Sequence, residues 1–146
     1  MTVFTAKLDY ALRALLDLTL QPPGRPAQSR EIAARQEIPE SYLNQVLVLL
    51  RRSGLVRSVR GASGGYVLGR EPGQVSVADV HRALQGDTWS DNPPAGCSGA
   101  GVAWTVRNLQ VRLSEAIRSE MSAVSLADLT VEVQRLDESQ SLMLGL

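Results

Sequence analysis

Residues 29–68 constrain this chain more than any other stretch. Two short helical patterns lie almost back to back. The first begins at Ser29, read as an N-cap, with Glu31 in the first turn where the helix dipole favours an acid, and buries Ile32 and Ala33 before ending near Gln36. The second opens at Pro39, a residue comfortable only in a first turn, and carries Leu43, Val46, Leu47 and Leu50 at i, i+3, i+4 and i+7. Gly54 is placed to end it. Beyond Gly54 the pattern changes to period two: residues 55–60 and 65–68 read as strands around the turn Gly61-Ala62-Ser63-Gly64. Two helices across a turn of a few residues make a helix-turn-helix, and a hairpin directly after the second helix is a wing.

The flanking segments follow the same logic. Leu8, Ala11, Leu12, Leu15 and Leu18 form one amphipathic helix that stops before Pro22-Pro23-Gly24. Ser76 caps a helix over 77–84, with His81 expected on its surface. Residues 85–101, rich in Gly, Pro and Ser, read as a loop. A long helix over 102–124 follows, with Trp104, Leu109, Leu113, Ile117 and Met121 on one side. Ser125 and Asp128 then form a capping box for a helix ending near Leu136, with a loosely ordered tail over 137–146. The expected fold is mainly α with a small β-hairpin. A winged helix-turn-helix spans 1–84, a loop 85–101, a long C-terminal helix 102–124, and a last helix and tail 125–146. The long helix would expose a large apolar stripe in a monomer, so it calls for a partner. Trp89 and Trp104 are core or interface residues, or else line an effector pocket.

Taken over the whole chain, charge argues against nucleic acid, since 15 basic residues balance 15 acidic ones. The balance is uneven along the chain. Residues 1–70 hold ten basic residues against five acids, and residues 71–146 hold five against ten. A basic half is the footprint of phosphate neutralisation. The apolar run 11–20 is too short and interrupted to span a bilayer, and the N-terminus lacks a signal-peptide pattern, so the expected compartment is the cytoplasm, without a membrane partner. One cysteine, Cys97, excludes an internal disulfide framework. No Walker loop, dinucleotide fingerprint, nucleophile elbow or triad is present, and an enzyme is not expected.

With its apolar stripe inward, the helix over 39–53 leaves Ser41, Asn44, Gln45, Val48, Arg51 and Arg52 outside, with Tyr42 at the margin. Asn and Gln pair bidentately with adenine and Ser adapts to several bases, so its N-terminal end suits the major groove of double-stranded DNA. Arg51 and Arg52 are placed for phosphate. On the wing (55–68), Arg57 and Arg60 flank Ser58, and the glycines permit close backbone approach. Ser29 and Arg30, at a helix N-terminus, offer another phosphate site. A winged helix that binds protein instead of DNA is the alternative, although it would have no need of this basic edge.

The strings LDYALRALL (8–16), REIAARQEIPESYLNQVLVLLRRSGLVRSVRGASGGYVLGREP (30–72) and VSVADVHRAL (75–84) resemble the Rrf2 family of bacterial regulators, the IscR, NsrR and CymR type. The resemblance covers essentially the whole chain. It implies a homodimer in which the long helix crosses to the partner, and two recognition helices that read a pseudo-palindromic operator, usually as a repressor. By position it implies DNA contacts at Ser41, Tyr42, Asn44 and Gln45, and at Ser58, Arg60 and Gly64 in the wing. The family pattern often has an acid where this chain has Asn44, so operator preference does not transfer. Many members hold an iron–sulfur cluster on three cysteines in the loop before the long helix, and Asp9 matches an N-terminal carboxylate ligand. This chain has only Cys97 there, and its one histidine, His81, lies elsewhere. One thiolate does not hold a cluster in the three-cysteine manner, so no cofactor is expected. Asp9 is also placed to pair with Arg13 at i+4. Cys97 is an inert residue, a thiol sensor or an intersubunit crosslink; no neighbouring cation in sequence lowers its pKa.

Overall fold

The computed structural model describes residues 4–86 and 101–145. Six helices and one hairpin run in the order α1 (Ala6–Leu20), α2 (Ser29–Gln36), α3 (Glu40–Arg52), β1 (Val56–Val59), β2 (Gly65–Leu68), α4 (Val77–Gln85), α5 (Val102–Ala123) and α6 (Leu126–Met143). The fold is the mainly helical winged helix-turn-helix that the hydrophobic periodicities predict. The whole expected stripe of α1 is buried, and Leu43, Val46, Leu47 and Leu50 of α3 are fully so. Ile32, Leu55, Val56, Val75 and Val80 complete the same core. The strands pair antiparallel, Val56 opposite Leu68 through Val59 opposite Gly65, and Ala27 adds a bridge to Tyr66 on the other edge.

Four local expectations shift. Ser29 is the first helical residue of α2; the cap is Gln28, which makes no side-chain cap bond. Pro39 is the N-cap of α3, so the helix itself runs over Glu40–Arg52. The last helix continues seven residues past Leu136, to Met143, where a loose tail was expected. His81 is buried, not on a helix surface, because α4 packs against α1, α3 and α5 together.

A matched pair of capping boxes ties the C-terminal part to the rest. Ser76 and Asp79 satisfy each other's backbone N–H groups at 3.0 and 3.1 Å, and Ser125 and Asp128 do the same at 3.0 and 3.1 Å. The two caps lie side by side: Val77 N–H donates to the Val124 carbonyl and Leu126 N–H to that of Val75, both at 2.9 Å. Leu126 and Met121 are thereby buried in the core.

Candidate nucleic-acid interface

The side chains of α3 divide as its periodicity requires. Ser41, Asn44, Gln45, Arg51 and Arg52 are exposed, and Val48 is half-buried. Ser41, Asn44 and Gln45 occupy the first turns of the helix. They present hydroxyl and amide groups that donate and accept, with no fold contact competing for them among the described residues. Tyr42 is half-buried instead. Its ring meets that of Tyr10 edge-on, with centroids 5.2 Å apart, anchoring the start of α3 to α1.

The turn between α2 and α3 is held from α1. Arg13 grips both carboxylate oxygens of Asp9 at 3.0 and 3.1 Å, donates to the Gln36 carbonyl at 3.3 Å and lies 5.8 Å from the Tyr10 ring centre. The i+4 spacing shows the Asp9 pair; the contact with Gln36 was not legible from it. Arg35 and Gln36 fix the other side of the turn. Arg35 donates to both oxygens of buried Asp17 at 2.9 and 2.8 Å, and Gln36 adds 3.0 Å. This carboxylate holds the Arg35 guanidinium above its ordinary pKa. An acid among the core positions of α1 is the sequence signal for that contact, and it was missed.

On the wing, strand alternation separates residues that adjoin in sequence. Ser58 lies on the side of α3, where its hydroxyl accepts from Arg51 at 3.5 Å. Arg57 pairs with Val67 and lies on the opposite face. Arg60 is exposed at the turn, and Ser29 is half-buried and Arg30 exposed at the start of α2. Gly64, expected to admit DNA, is buried. A Cβ there would stand 2.2 Å from the Val59 carbonyl oxygen, so the missing side chain closes the turn rather than clearing a path to the duplex. Cys97 and Trp89 fall outside the described residues.

A family model described as "Iron-dependent Transcriptional regulator", Rrf2, matches residues 4–132. The chain belongs to the Rrf2 family. The transcriptional regulator IscR of Xenorhabdus nematophila is 39% identical over 135 residues, covering 91% of this chain and 82% of its own length. Among solved structures, CymR, the global cysteine regulator of B. subtilis, superposes with a TM-score of 0.75 at 31% identity over 90% of this chain and 98% of its own. IscR of T. potens gives 0.74 at 30%, over 89% and 87%. This Rrf2 protein is accordingly a DNA-binding transcriptional regulator.

The donors of this Rrf2 regulator do not fit a cluster held by three thiolates. The sequence contains one cysteine, and Arg13 engages both oxygens of Asp9. His81 lies in the core with its pKa lowered by burial, and no group of three His, Cys, Asp or Glu side chains converges among the described residues. No helix among them is long and apolar enough to cross a membrane.

Proposed function

We propose that this regulator acts in the cytoplasm as a homodimeric repressor, without a three-cysteine cluster and without enzymatic activity, and that it reads a pseudo-palindromic operator through α3 and the wing. The reading divides the chain into a DNA-binding part over 1–84, the connecting loop 85–101, a dimerisation helix and a C-terminal helix. One observation carries it: the N-terminal turns of α3 present Ser41, Asn44 and Gln45 to solvent while the same helix buries its whole leucine and valine stripe. These three face base edges, and Tyr42 fixes their register by packing on Tyr10. Arg51 and Arg52, Ser29 and Arg30 at α2, and Ser58 and Arg60 on the wing contact backbone phosphate or the minor groove. Arg57, on the far face of the hairpin, stands apart from this surface.

Selection of bound fragments from a random duplex pool tests the reading. A two-fold-related consensus is expected. Asn44→Ala should then lower affinity for it about 5- to 150-fold, the worth of one good base contact, with the salt dependence unchanged. Arg51→Gln should weaken selected and random duplex alike. Recovery of fragments with no common sequence would refute operator reading.

A further inference from the structure

A cavity of about 780 Å³ opens at the base of the wing. Its walls come from the end of α1, the connection 21–25, the outer face of the hairpin and the turn 69–74. Hairpin register accounts for its lining. Val56 is sent into the core and Ser58 toward Arg51, so Arg57, Val59 and Val67 occupy the other side of the pleat. Arg25 and Arg70 join Arg57 in this wall, with Glu71 as its one acid. Among the described residues the side chains of Arg25 and Arg57 have neither hydrogen bond nor ion pair, and Arg70 gives one N–H to the Ser53 carbonyl at 3.4 Å. Three guanidiniums against one carboxylate leave two net positive charges around a concave, half-apolar surface of ligand size. Charges of one sign gathered in this way attract an oppositely charged ligand, and the guanidinium fork matches a carboxylate or phosphate group in particular.

We propose that this cavity binds a small organic dianion, a dicarboxylate or a phosphate monoester, and that its occupancy sets the position of the wing and so the affinity for operator. The arginines hold the charged groups, and Val59, Val67 and Leu18 face the carbon body. Because β1 and β2 form one wall, a ligand bridging Arg57 to Arg25 ties the hairpin to the connection after α1. The binding step is independent of the operator reading; the regulatory step rests on it.

The full chain is titrated with succinate and, separately, with phenyl phosphate at constant ionic strength, followed by thermal unfolding and calorimetry. A saturable rise in Tm is expected with one of the two, which also distinguishes carboxylate from phosphate. Acetate and chloride should give none. Arg25→Gln/Arg70→Gln and Arg57→Gln should each weaken binding at least tenfold. If the double variant fails to fold, Arg25→Gln alone serves, since that side chain is exposed and unpaired. No saturable binding of either dianion, or equal binding in the variants, overturns the proposal. In the second arm the bound dianion should change operator affinity in the parent chain and not in the double variant. A double variant that instead binds operator more weakly without any dianion, with its salt slope reduced by about two, would make these arginines DNA-phosphate contacts and also overturn it. The thermal arm contains no DNA, so its outcome is separate from that of operator reading.

Discussion

Asp17 stands among the core positions of α1 at 2% exposure, where Arg35 and Gln36 satisfy its oxygens. Removing Arg35 leaves a carboxylate in the core with only the Gln36 amide. Arg35→Met should therefore lower the unfolding free energy by about 2 kcal/mol in urea titrations, below the roughly 3–5 kcal/mol of a fully buried pair because Arg35 keeps solvent contact. A change within a few tenths would show that Gln36 and water suffice. His81 gives a prediction in pH. Burial lowers its pKa in the folded chain, so the unfolded state takes up the proton first as pH falls. Its contribution is complete above about pH 6.5 and is lost as pH drops toward the folded-state value, with a slope of up to about 1.4 kcal/mol per pH unit. As the sole histidine, it is the side chain whose unfolded-state protonation near about pH 6.5 produces this slope, which should vanish in His81→Leu. At this scale the sequence shows which face of a helix is apolar and is silent about what covers the other faces. His81 and Asp17 were misjudged or missed because neighbouring helices bury them, and those contacts leave no periodic trace.

Among the elements, the turn of the helix-turn-helix is made by an unusual residue. Glu37 ends α2 in the left-handed conformation, φ 54°, and is the one described non-glycine residue with positive φ. A side chain pays roughly 1–2 kcal/mol for that backbone, and glycine does not. Glu37→Gly should raise the unfolding free energy by about 0.5–1 kcal/mol after the added flexibility of the unfolded chain is counted. A destabilised Glu37→Gly chain would mean that the exposed Glu37 side chain makes up for its own strain. The α2–α3 pairing, the wing, the Ser76 cap and the Ser125–Asp128 capping box were legible, since each is written in local chemistry: apolar spacing, a glycine-rich turn, a Ser before an apolar run; the return bond from Asp79 to Ser76 was not. Helix ends were less so. Ser29 and Gln28 are both polar and adjacent, and the placement of the cap between them depends on how Ala27 is held against Tyr66. The α6 extension past Leu136 escaped because residues 137–141 carry no apolar side chain from which a helical period could be read.

At the scale of the molecule, α5 is the element that one chain does not satisfy. Val102, Val106, Leu109, Leu113 and Ile117 recur at three- and four-residue steps yet stay 82, 60, 51, 56 and 37% exposed. At 1.5 Å per residue this helix is about 33 Å long, so its row of apolar side chains approaches the size that marks association surfaces. Met121, counted with this row by spacing alone, turns into its own chain's core at 8% exposure. The stripe therefore divides: its last turn anchors the helix to the chain that made it, and the preceding turns stay exposed as the surface that the proposed homodimer would bury. A charge placed in the open part should separate the copies while leaving each core intact. Leu113→Glu is predicted to convert a dimer to a monomer in sedimentation velocity with helical content retained. Operator binding should fall far more than binding to a single half-site, because two linked recognition helices gain from effective concentration and one does not. A Leu113→Glu chain that remains dimeric and binds operator fully would move the interface off α5 and leave this exposed row in need of a different occupant.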